Sequence, residues 1–475
     1  MSILREALEE LSNIVGGGVI FTDDENLNRV SIDNSRYFFK ADALVKARGN
    51  SDVEAALKVA NKYKIPIAVR GAGSGCSGAA LPYYGGIVLD LSAINFIKVD
   101  PSTWIAHVGA GAINSRIDEE AKKFSLMYPP DPSSKDYSTI GGNIACNAGG
   151  LRAAKYGTTR DYVMALSGFL PTGEFVNLSR PLRKFSTAMN LRDLMIGSEG
   201  TLGVITEAWL KLVKRPEAKV AARAFFNSYE EAFNCVAKVF ESGLMPSVLE
   251  FMDAESVWCA AKFCDTSMKE SVMLLFELDG TPAELKDSEK KLGGLLKELS
   301  RESDFADSAE EAENLWRMRR VCSPAMFLLN NSKINQDIVL PLASTVEFFK
   351  FFKQLSKSAN LQSPTFGHAA DGNYHIHLMY DKNDAAQKKL AYSVMEKTII
   401  KAIELGGAIS GEHAIGITKS KYLHYQLSSA ELNAMLAVKR ALDPNNILNP
   451  QAVYANIDIS KYSQRLDIKL PWDKH

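Results

Sequence analysis

Apolar residues follow two textures along the chain. Over residues 41–90, short apolar runs flank one stretch of helical spacing. Ala43-Leu-Val45 reads as a strand, Val53, Ala56, Leu57 and Ala60 share one helical face, and Ile65-Pro-Ile-Ala-Val69 and Gly86-Ile-Val-Leu-Asp-Leu91 read as further strands. That order predicts a β-α-β unit, with Ser51-Asp-Val-Glu54 as a capping box opening its helix. The first ten residues predict an amphipathic helix carrying acidic charge, not a signal peptide. After Lys214-Arg-Pro216 glycine thins out, and amphipathic helices such as Tyr229–Glu241 alternate with strands such as Val272–Leu278. A domain boundary is therefore expected near Pro216. Residues 286–307 predict a solvated helix followed by a loop. Asp443-Pro-Asn-Asn-Ile-Leu-Asn-Pro450 is turn chemistry, and the tail beyond it reads as a surface wrap.

A length of 475 residues exceeds one ordinary core and predicts two or three domains. Hydrophobic residues make up 46% and charged residues 23%, which are globular values. The 55 basic and 56 acidic residues nearly cancel, so the basic face that nucleic acid requires is not indicated. No stretch has the apolar length of a membrane span. The six cysteines form no CxxC pair, which argues against a disulfide framework or an iron–sulfur cluster. A reducing cytoplasmic location is expected, with peripheral membrane attachment left open.

Three glycine-rich blocks lie in the first half: Arg70–Gly78, Thr139–Gly150 and Ile196–Thr206. Glycine lets backbone N–H groups approach a pyrophosphate closely. Gly71-x-Gly73-x-Gly75 lacks the third glycine of a Rossmann fingerprint at the required spacing, so the classical dinucleotide fold is not indicated.

Four of the seven histidines fall late, in Gly367-His-Ala-Ala-Asp-Gly-Asn-Tyr-His-Ile-His377 and Ser410-Gly-Glu-His-Ala-Ile-Gly416. His375 and His377 are two apart in a strand-like segment, which puts both on one face. His368 lies just across an Asp371-Gly372 turn, and Glu412 can reach the group from another segment. Imidazole with carboxylate suits zinc, manganese or iron(II) better than calcium or magnesium.

Together, Val69–Gly78, Tyr128-Pro-Pro-Asp-Pro-Ser-Ser134, Thr139–Gly150 and Gly197-Ser-Glu-Gly-Thr-Leu-Gly203 resemble the FAD-linked oxidases of the vanillyl-alcohol oxidase and p-cresol methylhydroxylase type. The histidine runs resemble the branch with the flavin-binding component of glycolate oxidase, FAD-dependent D-lactate dehydrogenase and D-2-hydroxyglutarate dehydrogenase. The resemblance spans roughly residues 35–452. It implies an α+β fold: a two-part FAD-binding domain of the p-cresol methylhydroxylase type, and a cap domain with an antiparallel sheet covered by helices. The corresponding divisions are 1–216 for the FAD domain, 217–420 for the cap, and 421–475 for a segment packing back on the FAD domain.

By the same resemblance, Arg70, Gly71, Ala72, Gly73, Ser74, Gly75 and Ser77 hold the pyrophosphate. Pro130, Asp131, Ser134, Thr139, Gly141, Gly142 and Asn147 line the flavin, and Asn143 and Ala145 belong to the same contact block. Glu199, Gly200, Gly203, Val204 and Ile205 hold the adenine side. Some relatives attach FAD through a histidine in the pyrophosphate loop; none occurs in Arg70–Ala80, so non-covalent FAD is expected. His368, His375 and Glu412 are implied metal ligands, for zinc or manganese, and His413 the general base. His377 stands where relatives commonly carry asparagine and is a further candidate ligand. Ala370 and Ala414 each replace a family glycine.

Arg319, in Glu313-Asn-Leu-Trp-Arg-Met-Arg-Arg320, is the implied carboxylate anchor, since a planar guanidinium matches a carboxylate bidentately. Ser323 and Lys333 are further substrate-binding candidates. The activity implied is oxidation of a D-2-hydroxy acid of the lactate, glycolate or 2-hydroxyglutarate type to the 2-oxo acid. Electrons would pass to an external acceptor: a partner subunit, an electron-transfer flavoprotein, a quinone, a cytochrome or oxygen. The competing readings are an FAD enzyme for another substrate, a non-catalytic flavin subunit of a larger redox complex, and a metal-binding protein without flavin. Oligomeric state stays open, a homodimer included.

Overall fold

A computed structural model of the chain describes residues 3–266, 271–450, 453–465 and 468–473. The chain divides into two compact units. The first comprises Met1–Gly150, Gly157–Arg215 and Glu412–His475, and the second Leu151–Tyr156 and Pro216–Gly411. Helix and sheet are mixed throughout, as an α+β fold requires.

In the first unit, strands Ala43–Lys46, Ile87–Asp90 and Ile67–Arg70 run parallel in that order, with the short strand Ile20–Phe21 antiparallel at the edge. The helix Asn50–Tyr63 buries Val53, Ala56, Leu57 and Ala60 completely. Ala7, Leu11 and Val15 of the first helix, Ile3–Val15, join the same core. The third strand starts at Ile67 rather than Ile65. Proline at 66 has no N–H for a ladder, and its carbonyl instead accepts from Ile87 N–H at 2.9 Å.

The capping box expected at Ser51 does not form. The helix opens at Asn50 after Gly49, and the Asp52 carboxylate reaches back to accept from the Arg48 N–H and Nε, both at 2.9 Å. A second sheet of five antiparallel strands follows the order Ile97–Asp100, Ile105–Gly109, Val204–Lys211, Val163–Phe169 and Phe175–Leu178.

The chain rejoins this unit at Glu412, earlier than the expected 421. Ile417 is the anchor, buried with Tyr37, Leu81, Ile457 and Ile459. Further on, Ile67 N–H donates to the Ile447 carbonyl at 2.7 Å, and Asn449 N–H to the Ile67 carbonyl at 2.8 Å.

The second unit is built on a seven-stranded antiparallel sheet. Its order is Glu302–Phe305, Ala218–Phe226, Val272–Gly280, Val248–Met252, Thr365–His368, Asn373–Tyr380 and Ser332–Val339. One face carries an aromatic core in which Phe251 stacks on Phe233 at 4.8 Å and Phe349 meets Tyr374 edge-on at 5.2 Å. On the other face, helices Ala254–Phe263 and Ala309–Ala325 pack over Phe225, Met252, Met273, Phe366 and Met379.

Residues 302–305, expected as a loop, form the edge strand. Asp304 pairs with Arg223 at 2.8 Å across the ladder. A strand held by a polar pair at a sheet edge leaves no apolar alternation to read.

A glycine-lined cleft and a histidine cluster

The first unit contains a cleft walled by all three glycine-rich blocks. Gly71, Gly73, Ser77, Ser134, Thr139 and Gly203 line it, as do Ala72, Ser74, Gly75, Gly141, Gly142, Asn143, Ala145, Glu199, Gly200 and Ile205. Backbones meet closely here. A Cβ on Gly71 would lie 2.1 Å from Thr139 Oγ1, and Gly73, at φ +74, would strike the Arg70 guanidinium.

The cleft also presents polar atoms that suit a polar ligand. Ser77 Oγ, Thr139 Oγ1 and Asn143 Nδ2 are buried and make no hydrogen bond among the described residues. Leaving such groups unpaired costs about 1–3 kcal/mol each, so a ligand rich in phosphate and ring acceptors fits.

Other expected contacts sit differently. Arg70 lines the cleft, and its guanidinium also donates to the Ile32 carbonyl at 2.9 Å. Asn147, at φ +50, accepts through its side chain from Arg160 N–H at 2.9 Å and shapes a turn. Pro130, Asp131, Asn147 and Val204 are absent from the cleft lining.

Glu412 and His413 stand on the cleft wall, in the same unit. His413 Nε2 lies 3.7 Å from Glu412 Oε1. Ala414 follows at φ +62 and Gly416 at φ +49. The carboxylate of Glu199 accepts from Ile415 N–H at 2.9 Å and from Gly416 N–H at 2.8 Å. Burial pushes the Glu199 carboxyl up to about 7, against the pull of those two backbone donors.

The second unit gathers a separate group on one face of its sheet. Glu250 lies directly opposite His368, Phe366 opposite His375, and Asp337 opposite His375 on the next strand. The rings of His368 and His375 meet edge-on, 5.4 Å apart. His368 Nδ1 is hydrogen-bonded to the fully buried Glu250. That contact holds the ring in the tautomer whose Nε2 is the basic nitrogen.

The other oxygen of Glu250 accepts from Arg319 Nε at 2.5 Å, and the Arg319 guanidinium lies 4.3 Å over the Phe366 ring. Burial alone would raise the Glu250 carboxyl; its hydrogen-bonded neighbours His368 and Arg319 outweigh it and hold it below the usual range. His377 shares the face, and its Nδ1 donates to the Pro364 carbonyl at 3.1 Å. Ser323 and Lys333 are not part of this group. Lys333 Nζ donates to Ser323 Oγ at 2.8 Å, and Lys333 sits opposite Met379, four residues along the strand from Asp337, roughly 13 Å away.

Two family models match the chain: "FAD binding domain" over residues 41–179, and "FAD linked oxidases, C-terminal domain" over residues 215–453. The chain belongs to the FAD-linked oxidase family. A D-lactate dehydrogenase of Anaerostipes hadrus is 35% identical over 468 residues, covering 94% of this chain and 97% of that protein. Glycolate oxidase subunit GlcD of Bacillus subtilis (strain 168) is 33% identical over 460 residues, covering 95% and 97%. Among solved structures, p-cresol methylhydroxylase with substrate bound superposes with a TM-score of 0.78 at 16% identity, covering 96% of this chain and 97% of that one. An alkyldihydroxyacetonephosphate synthase gives 0.74 at 20% identity, covering 94% and 85%. These structural likenesses establish the fold.

This FAD-linked oxidase has cleft residues that sequence reading missed. Asp33 and Asn34 line the cleft, and Asn34 N–H donates to the Gly73 carbonyl at 3.1 Å. Burial pushes the Asp33 carboxyl up to about 6, opposed by Ser35 and Arg70. Asn449 looked like turn chemistry, yet its side chain joins Val69 N–H to the Ala79 and Glu199 carbonyls, at 2.8–2.9 Å. No local pattern marks these residues, because their partners are distant in sequence. Cys76 and Cys146 also line the cleft; burial pushes the Cys146 thiol up, which keeps it a neutral packing group.

Proposed function

We propose that this flavin oxidoreductase oxidises a D-2-hydroxy acid, of the lactate, glycolate or 2-hydroxyglutarate type, to the 2-oxo acid. The observation that carries this reading is the Glu412–His413 pair on the wall of the FAD cleft. Support comes from relatives named D-lactate dehydrogenase and glycolate oxidase subunit, at about one-third identity over nearly the whole chain.

In this reading Arg319 binds the substrate carboxylate, its plane fixed by Glu250 on one edge and Phe366 beneath. His413 accepts the proton of the 2-hydroxyl. Bound in the cleft without a covalent link, FAD supplies the hydride acceptor for the C2 hydrogen. His368, His375 and Glu412 are the proposed ligands of a zinc or manganese ion, with His377 as a further candidate. Such an ion supplies positive charge that lowers the pKa of the substrate hydroxyl. The buried carboxylate on His368 Nδ1 supports this donor set, because metal-binding histidines commonly carry such a partner on the second nitrogen. Ser323 and Lys333, tied to each other, are proposed only for the outer part of the substrate.

The two electrons taken up by the cofactor would pass to an external acceptor: a partner subunit, an electron-transfer flavoprotein, a quinone or a cytochrome. Among the described residues no helix is long and apolar enough to cross a membrane. The test is anaerobic flavin bleaching by a panel of D- and L-2-hydroxy acids, with metal content measured on the same sample. Bleaching by D-acids alone is expected; a flavin that stays oxidised with every acid overturns the reading.

A further inference from the structure

The segment that carries His413 is nailed to two of the glycine-rich blocks, and one of the nails is a side chain. Ile417 N–H and Thr418 N–H both donate to the Ser77 carbonyl, at 2.9 and 3.1 Å. Gly416 lies so close to Ser77 that a Cβ would stand 2.1 Å from that carbonyl oxygen. Just before it, the Glu199 carboxylate takes the N–H groups of Ile415 and Gly416 on its two separate oxygens.

Glu199 is 5% exposed and itself sits at φ +53, next to Gly200 at φ +70. Asn449 Nδ2 donates to the Glu199 carbonyl at 2.8 Å, and Glu199 N–H donates to the Ala145 carbonyl at 2.8 Å. The backbone of Glu199 is thereby held on both sides, while its carboxylate is committed to residues two and three positions beyond His413. A buried carboxylate costs free energy unless donors satisfy it. Two backbone N–H groups do so here, and only while the 415–416 backbone keeps its present path.

We propose that Glu199 is a positioning residue for the catalytic base: its bidentate grip on Ile415 and Gly416 sets where His413 stands in the flavin cleft. This gives Glu199 a role other than holding adenine, and it rests on the reading of His413 as the base. A displacement of about 1 Å of a catalytic group can cost on the order of 100-fold in rate. Glu199→Gln keeps the size of the side chain but replaces one acceptor by an NH2 group that faces an N–H. Glu199→Ala removes both acceptors.

The test uses the full-length flavoprotein in wild-type, Glu199→Gln, Glu199→Ala, His413→Ala and the two double variants. Amide hydrogen exchange across residues 412–418 is measured with and without FAD, alongside bound-FAD stoichiometry, KM and the anaerobic rate of flavin reduction. Expected are faster exchange confined to 412–418, unchanged FAD content and KM, and a reduction rate ~10- to 100-fold lower. In the His413→Ala background the Glu199 substitutions should add little, because the group they position is gone.

Unchanged exchange overturns the proposal, and so does an equal fall in both backgrounds. Loss of FAD with a normal rate per bound flavin also overturns it and returns Glu199 to the cofactor. If His413→Ala turns over normally, the base reading fails, and the positioning role falls with it. If no hydroxy acid reduces the wild-type flavin, the proposed function fails, while exchange still decides whether Glu199 holds the loop.

Discussion

His413 stands on the wall of the glycine-lined cleft beside Glu412. His413→Ala should keep its yellow colour and lose turnover by ~100- to 10,000-fold, the usual worth of a general base; steady-state kinetics normalised to bound flavin check it. Glu250 is fully buried between His368 and Arg319. Glu250→Gln removes the buried carboxylate that pairs with Arg319 and His368 and should cost about 3–5 kcal/mol, read from denaturant unfolding at pH 7.5.

Asp33 behaves in the opposite sense. Its folded value of about 6 lies above the ordinary 3.8. The folded state therefore keeps the proton longer than the unfolded chain. The stabilisation is fully present below about pH 4 and is lost as pH rises through about 6, on the order of 2–3 kcal/mol. In Asp33→Asn that descent should flatten, because Oδ1 still accepts from Ser35 while the buried charge is gone. Urea midpoints of the flavin-free protein from pH 4 to 8 are the measurement.

At the scale of elements, backbone geometry decides how loops hold these side chains. Ala414 occupies the left-handed region at φ +62 without the freedom of glycine. Ala414→Gly should relieve roughly 1 kcal/mol of strain, partly offset by the entropy glycine adds to the unfolded chain. A small rise in thermal midpoint is the expected result. Several elements were plain in the apolar spacing. The 229–241 helix is bounded as its pattern implies, with Ser228 capping Glu231 N–H at 3.2 Å. The strands of the 43–90 region follow their apolar runs. An element whose bonds run to a distant partner was not plain: the 302–305 strand exists because Ala222–Phe225 lies beside it.

At the scale of the molecule, the parts need a cofactor that the chain alone does not supply. If the proposed metal site is correct, a strong chelator should abolish hydroxy-acid oxidation while FAD stays bound. Zinc or manganese should then restore it, as assayed by flavin reduction and metal analysis. Full activity in chelated, metal-free enzyme would remove the ion from the mechanism.

The sequence by itself determined the family and the α+β class. The glycine blocks and histidine runs are contiguous, and contiguous motifs survive in one dimension. It also put His375 and His377 on one face, since a strand has a period of two. Tertiary structure alone decided which nitrogen of His368 is basic, through Glu250 more than a hundred residues earlier in the chain. It alone tied Ser323 to Lys333, joined the Arg70 guanidinium to Ile32, and joined Glu199 to the loop of His413. Each of these is a hydrogen bond whose two ends are too far apart in sequence for spacing to reveal. Its worth depends on burial, and only the folded chain sets that.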